Sequence, residues 1–216
     1  MSEVVNTESV TMALLRDRIR PALYDFFGGR LEKSFAEHRR KALARASGRV
    51  VEIGAGTGFN LPRYPDGIDE LVVTEPNAGM LRRARRRAGG RPMTFVQAAA
   101  ESLPFEDSSF DTVVSTLVLC SVDDVDRGLA EVHRVLRPGG QLIFVEHVRS
   151  SDPRTARWQD RLERPWHALA DGCHPNRATL ERIEAGPFEV VDVEYGELPK
   201  SPPIVRPLVT GRAIAR

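Results

Sequence analysis

The chain has 216 residues, 41% of them hydrophobic and 28% charged, and its 31 basic and 30 acidic residues leave a formal net charge of +1. This composition excludes a largely disordered chain, and the balanced charge gives no general attraction to nucleic acid. Two cysteines, Cys120 and Cys173, are too few for a disulfide framework and are expected to be small buried residues. No apolar run approaches about 20 residues, which predicts a cytoplasmic protein without a spanning helix and leaves peripheral membrane contact open.

Helices are expected over residues 9–46, where apolar residues recur at helical spacing, with interruptions at Pro21 and at the pair Gly28-Gly29. From residue 48 onward, short apolar strands alternate with helices. The predicted strands are 49–53, 71–74, 94–96, 111–119 and 141–148, and the predicted helices are 78–88 and 124–136. Such alternation is typical of a parallel sheet that is covered by helices on both faces.

Beyond residue 149 the alternation stops. A polar segment, 150–178, precedes a helix at 179–185, and strands at 189–195 and 205–215 follow with no helix between them. These last two strands should therefore pair antiparallel. The predicted fold class is α/β: a single domain with a Rossmann-like seven-stranded sheet, mostly parallel with an antiparallel last strand, and helices on both faces.

The sharpest local signal is a glycine cluster, Gly54, Gly56 and Gly58, between the first strand and an expected helix. Glycines allow a tight turn and a close backbone approach to a ligand. The spacing is G-x-G-x-G, and Glu52 just before it would repel the phosphates of a dinucleotide but suits a cationic ligand that carries an amino acid. Glu75, which ends the second strand, stands where an acid accepts hydrogen bonds from ribose hydroxyls. The structural alternative is a tight turn with a capping acid.

With these features the sequence resembles the class I S-adenosylmethionine-dependent methyltransferases, above all over 48–148. The resemblance implies S-adenosylmethionine as cofactor and S-adenosylhomocysteine as product. It implies that the glycine cluster holds the methionine part and that Glu75 binds the ribose. Where relatives usually carry an Asp for the adenine amine, this chain has Ala99, so that contact would come from backbone or water. The implied cofactor-binding set is Tyr24, Glu52, Gly54, Ala55, Gly56, Thr57, Gly58, Asn60, Glu75, Pro76, Asn77, Met80, Ala99, Ala100, Glu101, Thr116, Leu117 and Val118.

Further segments resemble one particular group within this family. The stretches STLVLCSV at 115–122, EHV at 146–148, PWH at 165–167 and DGC at 171–173 are similar to the methyltransferase-like 7 group of animal proteins. Members of that group are alkyl thiol S-methyltransferases with an N-terminal apolar membrane anchor. This sequence is expected to lack the anchor, and it has His174 where the group tends to carry Asn. The resemblance implies S-methylation of a small lipophilic thiol.

Histidines are the candidate catalytic residues. A thiol has an ordinary pKa of about 8.5, so a histidine with a pKa of about 6.5 could help to remove its proton. His147 is the first choice because it ends the fifth strand. The further catalytic candidates lie in a loop that could close over the site, and they are His167, Asp171 and His174. Alternatively, His147 only orients a loop and His167 only packs against an aromatic neighbour. The spacings of these histidines and of Cys173 match no familiar ligand pattern, so no metal is predicted.

The expected division of the chain is an N-terminal helical cover (1–47), a cofactor-binding core (48–148), an insert over the acceptor site (149–178), and a helix with a terminal β-hairpin (179–216). The expected partner is a small-molecule acceptor and no nucleic acid, and the protein is expected to be a monomer or homodimer. Other acceptors remain open: a quinone-precursor carbon, a phenol or a phospholipid amine. Two other classes also remain open. One is a catalytically silent cofactor-binding regulator, which Ala99 favours, and the other is an NAD-dependent oxidoreductase, which the glycine spacing disfavours.

Overall fold

The structure, a computed structural model, describes the backbone of residues 15–216 and most side chains within that range. The side chains that it does not describe are those of Leu15, Arg16, Phe27, Arg30, Leu31, Lys33 and Ser34. The first part of the expected helical cover, 1–14, lies outside the described residues. Within the described part of the chain, no helix has both the length and the apolar character that a bilayer crossing requires.

The described residues form five α-helices and seven strands, joined by shorter turns. The helices are α1 (Arg20–Leu43), α2 (Ala78–Arg87), α3 (Val125–Val135), α4 (Pro153–Leu169) and α5 (Thr179–Ala185). The strands are β1 (Arg49–Ile53), β2 (Glu70–Thr74), β3 (Thr94–Val96), β4 (Phe110–Thr116), β5 (Leu136–His147), β6 (Phe188–Glu197) and β7 (Pro207–Ala215). A π-helical turn, Leu15–Ile19, precedes α1, and 3-10 turns lie at Leu61–Arg63 and Pro203–Val205.

All seven strands belong to one sheet with the order β3-β2-β1-β4-β5-β7-β6. β7 runs antiparallel to both of its neighbours, and the other neighbouring pairs are parallel. Buried side chains cover both faces: α1 and α2 pack on one face, and α3 and α5 pack on the other. This arrangement confirms the predicted fold class. It also brings the carboxyl ends of β1, β2, β4 and β5 to one edge, where open α/β sheets bind their ligands.

Helix α1 agrees with one of the two interruptions that the sequence predicts. Pro21 falls in the first turn of the helix, a position that tolerates a missing N–H, and the π-helical turn ends just before α1 begins. Gly28 leaves room for the Phe59 ring, because a Cβ atom at residue 28 would lie 2.9 Å from Phe59 Cε2. The predicted interruption at Gly28-Gly29 was wrong, because the helix continues through both glycines.

The polar segment 150–178, to which the sequence analysis assigns no element, contains α4. The Asp152 side chain caps this helix by accepting a hydrogen bond from the Thr155 amide at 2.9 Å, and Pro153 occupies its first turn. Strand β5 also begins earlier than expected, at Leu136, which pairs with Phe110 before the register shifts. At the start of α4 and at the start of β5, a sequence that is typical of a turn or loop thus belongs to the first residues of a helix or a strand.

No α-helix follows the glycine cluster, contrary to expectation. Residues 54–69 connect β1 to β2, and within this fully described stretch the regular structure is the 3-10 turn Leu61–Arg63. Pro62 and Pro65 lack the N–H that a helix needs, and each disfavours the helical conformation at the residue before it. The turn after β1 therefore presents backbone amides without an α-helix behind them.

Candidate functional site

The glycine cluster turns the chain at the carboxyl end of β1. Gly54 and Gly56 have φ angles of +56° and +57°, in the left-handed region that residues with a Cβ atom rarely adopt. Gly54 also lies against a neighbouring loop, because a Cβ atom at residue 54 would lie 2.7 Å from Val118 Cγ1. The Ala55 amide donates to the Thr74 carbonyl at 2.9 Å. The cluster is therefore fixed at the edge where β1 and β2 end.

Glu75 is buried beside this turn, directly after β2. Its two carboxylate oxygens accept hydrogen bonds from the amides of Gly56 and Asn77, both at 2.8 Å. Burial raises the pKa of the Glu75 carboxyl, and the two hydrogen bonds oppose that shift. Since each carboxylate oxygen can accept more than one hydrogen bond, Glu75 keeps capacity for a ligand hydroxyl while it holds the turn.

Glu52 belongs to a buried polar network on the face of β1 that α1 covers. Its carboxylate accepts hydrogen bonds from Asn60 Nδ2 and from the Tyr64 hydroxyl, both at 2.9 Å. Asn60 Nδ2 also lies 3.1 Å from Thr116 Oγ1, and Asn60 Oδ1 accepts from Arg39 at 2.7 Å. Burial raises the pKa of Glu52 to about 7 despite its hydrogen bonds. The carboxyl therefore gains or loses its charge near neutral pH, so a nearby cation can favour its ionised form.

Arg39 of α1 is a buried residue of this network that the sequence analysis did not identify. Its Nε lies 3.3 Å from a carboxylate oxygen of Glu32, and its guanidinium carbon lies 4.7 Å from the centroid of the Phe35 ring. A signal for it was present in the sequence. Arg39 follows buried Phe35 by four residues and precedes buried Leu43 by four, so all three lie on one helix face.

Helix α1 lies over the glycine cluster, and the turn before it lies against α2. A Cβ atom at residue 56 would lie 3.5 Å from Tyr24 Cε1, so the Tyr24 ring covers Gly56. The centroids of the Tyr24 and Phe59 rings are 6.2 Å apart. The backbone of Asp17 lies directly against Gly79 in α2. These contacts bring an aromatic ring to the predicted cofactor loop from outside the sheet.

The residues predicted near an adenine hold the ends of β2 and β3 and the loops that follow. Asn77 caps α2, since its side-chain oxygen accepts from the Met80 amide at 3.0 Å. The Glu101 carboxylate accepts from the Asp123 amide at 2.9 Å. Of the remaining residues in the predicted set, Thr57 and Ala100 are buried, Ala55 and Ala99 are half-buried, and Pro76 is exposed.

Glu146 organises the loop that follows β4. It is fully buried, and its Oε1 accepts hydrogen bonds from the Ser115 hydroxyl at 2.7 Å and from the Val118 amide at 3.1 Å. Its Oε2 accepts from the Cys120 amide at 3.3 Å. Leu117 within this loop has a φ angle of +58°, which is costly for a residue other than glycine and is typical of functional sites. Glu146 is therefore a positioning residue for the loop.

His147, the last residue of β5, lies in a buried cluster with Cys120 and Cys173. His147 Nε2 is 2.9 Å from Cys173 Sγ, and one side-chain ligand atom from each of the three residues lies within 4.8 Å of the others. Burial opposes a positive charge on His147, but the neighbouring Cys120 and Glu146 outweigh it and raise the pKa of the imidazole. The Cys120 thiol beside Cys173 lowers the pKa of the Cys173 thiol against the effect of burial, and a hydrogen bond from Trp166 assists.

The other predicted catalytic residues make different contacts. The rings of His167 and His174 pack together with their centroids 4.6 Å apart, and His174 Nδ1 lies 2.7 Å from a carboxylate oxygen of Glu163. Asp171 forms an ion pair with Arg20 of α1, which ties the loop after α4 to the N-terminal helix. Of the four predicted catalytic residues, the structure thus places His147 in the cluster with the cysteines and the other three around the loop beside it.

The sequence did not lead us to predict that Cys120, His147 and Cys173 form one cluster. Cys120 follows β4, and His147 ends the neighbouring strand β5, so their shared position at one edge of the sheet could have been inferred from the order of the strands. Cys173 lies in the loop after α4, and no local sequence pattern indicates where that loop packs.

Comparison with known proteins places the chain in a family. Residues 51–144 match a family described as a methyltransferase domain. The Homo sapiens thiol S-methyltransferase TMT1A is 36% identical over 171 residues, which cover 76% of this chain and 70% of that protein. The phosphatidylethanolamine N-methyltransferase of Cereibacter sphaeroides is 33% identical over 195 residues, which cover 88% of this chain and 92% of that protein.

The fold has relatives among solved structures. The crystal structure of YcgJ from Bacillus subtilis superposes with a TM-score of 0.63 at 20% identity, over 85% of this chain and 98% of that one. An identity this low supports the fold alone, and the family assignment rests on the sequence relatives. The chain therefore belongs to the class I S-adenosylmethionine-dependent methyltransferases, which confirms the resemblance drawn from its motifs, and it is a relative of the thiol S-methyltransferases TMT1A and TMT1B.

Proposed function

We propose that this methyltransferase transfers the methyl group of S-adenosylmethionine to the sulfur of a small lipophilic thiol. The observation that carries the proposal is the 36% identity to thiol S-methyltransferase TMT1A over 76% of the chain. The geometry agrees with it. The segments 115–122, 146–148 and 171–173, on which the resemblance to that group rests, each contribute one residue to the buried cluster around His147.

The residues around the glycine cluster fit S-adenosylmethionine. Gly54 and Gly56 keep the turn tight through their left-handed φ angles, and Glu75 has capacity for ribose hydroxyls. Glu52, with a pKa of about 7, can take up negative charge beside a positively charged ligand. When bound, the cofactor supplies a methyl group on a positively charged sulfur. The protein's own residues then have to hold and align the acceptor, exclude water and accept a proton.

The acceptor would lie beside the loop after β4. Ile204 and Val205 pack with Cys120 and Cys173 in a buried apolar group, against which Trp166 also packs. Apolar walls suit a lipophilic acceptor and keep water away from the reacting atoms. Because a thiol has an ordinary pKa of about 8.5, modest assistance is enough to form the thiolate at neutral pH. The cluster around His147 is the part of the site that would give this assistance.

Phospholipid amine methylation is a second candidate. It is supported by the 33% identity to the phosphatidylethanolamine N-methyltransferase, a relative that this chain covers over 92% of its length. An amine acceptor must lose a proton with a pKa of about 10, which is more demanding than the deprotonation of a thiol. The two candidates therefore differ in the acceptor atom and in the base strength that the site must provide.

A panel of acceptors separates these functions. The purified protein would be incubated with methyl-labelled S-adenosylmethionine and, in turn, with 1-butanethiol, 1-butanol, phenol, phosphatidylethanolamine vesicles and a demethylated quinone precursor. We expect labelled methyl thioether from butanethiol and no product from butanol, which differs only in the acceptor atom. Transfer to the lipid, the phenol or the quinone alone would overturn the thiol proposal. Binding of S-adenosylhomocysteine without transfer to any acceptor would instead indicate a catalytically silent protein.

A further inference from the structure

Three side chains with metal-binding atoms meet at one buried point of the sheet edge. Cys120 follows β4, His147 ends β5, and Cys173 comes from the loop after α4. None of them is more than 7% exposed, and one ligand atom from each lies within 4.8 Å of the others. Elements far apart in the sequence thus deliver two sulfurs and one imidazole nitrogen to a single place.

The distances are close to those of a zinc site. A tetrahedral zinc ion bound at about 2.3 Å by sulfur and about 2.0 Å by nitrogen holds sulfur and nitrogen about 3.5 Å apart and two sulfurs about 3.8 Å apart. The His147 Nε2 to Cys173 Sγ distance of 2.9 Å would widen by roughly 0.6 Å. The other two pairs, both within 4.8 Å, would have to close by about 1.3 Å at most. Small side-chain rotations are sufficient for such movements.

The surroundings of the cluster suit metal-bound sulfur. Cys173 Sγ accepts a hydrogen bond from Trp166 Nε1 at 3.2 Å, a contact of the kind that supports a metal-bound ligand from outside. Arg177 lies close enough for its positive charge to interact with both cysteines, which offsets the charge of two thiolates.

Cys120, His147 and Cys173 supply three of the four ligands that a zinc ion takes. Among the residues that the structure describes, no fourth His, Cys, Asp or Glu joins the group. Structural zinc sites use four protein ligands, whereas catalytic zinc sites use three and leave the fourth position to water or substrate. Two cysteines and one histidine make a site of the second kind.

The cluster adjoins the predicted cofactor loop through two contacts. Val118, two residues before Cys120, packs on Gly54 of the glycine cluster. Glu146, the neighbour of His147, accepts hydrogen bonds from the amides of both Val118 and Cys120. The cluster is therefore next to the part of the site where the methyl donor would bind.

We propose that Cys120, His147 and Cys173 bind one zinc ion whose fourth position takes the sulfur of the methyl acceptor. The second part of this inference rests on the proposed thiol function. When the acceptor binds, its S–H bond breaks, the sulfur keeps the electron pair and bonds to zinc, and the proton leaves to water. A metal-bound thiol is deprotonated at neutral pH, so the site supplies a thiolate nucleophile without a separate base. The sulfur then forms the new bond to the methyl carbon, while the electron pair of the broken carbon–sulfur bond stays with the donor sulfur.

This proposal goes against the absence of metal that the linear spacing predicts. The spacing of His147, His167, His174 and Cys173 along the chain does not include Cys120, which lies earlier in the sequence. The ligand set becomes recognisable only when β4 and β5 lie side by side.

The first test measures metal in the protein as purified. We expect about one zinc ion per chain by inductively coupled plasma mass spectrometry, and its loss in Cys120→Ser and in Cys173→Ser. His133→Gln, on α3 and outside the cluster, is the matched control and should keep its zinc. Because a cysteine variant can fail to fold, circular dichroism would accompany each variant. A test without substitution uses wild-type protein. Treatment with 1,10-phenanthroline should remove its zinc, and titration with Zn²⁺ should restore about one zinc ion per chain.

Cobalt substitution gives a second readout that does not depend on activity. Co²⁺ in the wild-type protein should show thiolate-to-cobalt charge-transfer absorption, and 1-butanethiol should change the cobalt d–d bands while 1-butanol leaves them unchanged. A spectral response without methylated product would overturn the thiol function but keep the metal site. Methylated butanethiol from metal-free protein, or a Cys120–Cys173 disulfide in protein purified with reductant, would overturn the zinc inference and leave the thiol function standing.

Discussion

The Glu75 carboxylate accepts a hydrogen bond from the Gly56 amide at 2.8 Å, so the end of β2 holds the turn that follows β1. We propose that the same carboxylate also binds the ribose of the cofactor, in which case one side chain connects the shape of the turn to ligand binding. Removing its negative charge should therefore weaken the ligand more than the fold.

Glu75→Gln keeps the shape of the side chain and removes the charge. We expect the affinity for S-adenosylhomocysteine to fall about tenfold, the effect of one lost charge-assisted hydrogen bond. Isothermal titration calorimetry measures this directly. Glu70→Gln, at the other end of β2 and paired with Arg49, is the control and should bind as the wild type does. Unchanged affinity in Glu75→Gln would mean that Glu75 serves only the turn.

Glu52 should make the free energy of unfolding depend on pH. Its pKa is about 7 in the folded protein against an ordinary value of 4.5 for a glutamate carboxyl, so between these values the folded chain keeps a proton that the unfolded chain has lost. Stability should therefore be highest below about pH 4.5 with respect to this group and should fall as pH rises toward 7, by up to about 3 kcal/mol. The difference in urea unfolding free energy between wild type and Glu52→Gln should change between pH 5 and pH 8 by an amount of this order. A difference independent of pH would contradict the assignment.

Binding of the methyl donor should show the opposite trend. A positively charged ligand favours the ionised form of Glu52, so its affinity should increase from about pH 6 to about pH 8, and its binding should release a proton. Calorimetry in two buffers with different ionisation enthalpies counts the protons released. S-adenosylhomocysteine lacks the sulfonium charge and should release fewer, and Glu52→Gln should release none from this group.

Gly54→Ala should destabilise the protein by about 1–3 kcal/mol, because it forces a Cβ atom into a left-handed conformation and against Val118. Adding Val118→Ala should recover the steric part of this loss and leave the backbone part. A double-mutant cycle by thermal unfolding separates the two parts. Gly67→Ala is the control, since no atom lies within 4 Å of the added Cβ atom. Simple additivity of the two substitutions would show that the contact contributes nothing.

Arg39→Met should lower the free energy of unfolding by about 1–3 kcal/mol, because it leaves the buried Asn60 oxygen without its donor and leaves Glu32 with Arg63 alone. Arg40→Met is a matched control on the next residue of α1, where the arginine pairs with Glu37 at the surface. That variant should keep the unfolding midpoint of the wild type. Equal effects of the two substitutions would show that burial of Arg39 is not important for stability.

The sheet could be predicted from the sequence because its signals are local. Apolar strands such as β1 and β4 are short and continuous, and the helices between them set the parallel direction. The missing helix between β6 and β7 correctly predicted their antiparallel pairing. In the same way, the glycine spacing and the acids at residues 52 and 75 indicated one ligand site at the sheet edge.

The role of Arg39 and the cluster around His147 could not be predicted, because they depend on contacts between residues that lie far apart in the sequence. Arg39 belongs to a charged residue type that is usually exposed, and only the packing of α1 on the sheet makes it a partner of Asn60. The contact between His147 and Cys173 depends on how the loop after α4 folds back over β5. The prediction of a helix after the glycine cluster was wrong because Pro62 and Pro65 prevent an α-helix there.

That proline-containing turn has a consequence for the choice of ligand. An α-helix beginning after Gly58 would direct its aligned peptide dipoles at a bound phosphate, and the 3-10 turn Leu61–Arg63 is too short to do so. The carboxyls of Glu52 and Glu75 lie beside the turn instead. Adenine nucleotides share the adenosine part of the donor but carry anionic tails, so we expect the ionised carboxyls to disfavour them by electrostatic repulsion. Selectivity among adenosine compounds would thus follow from the sign of the charge at the far end of the ligand.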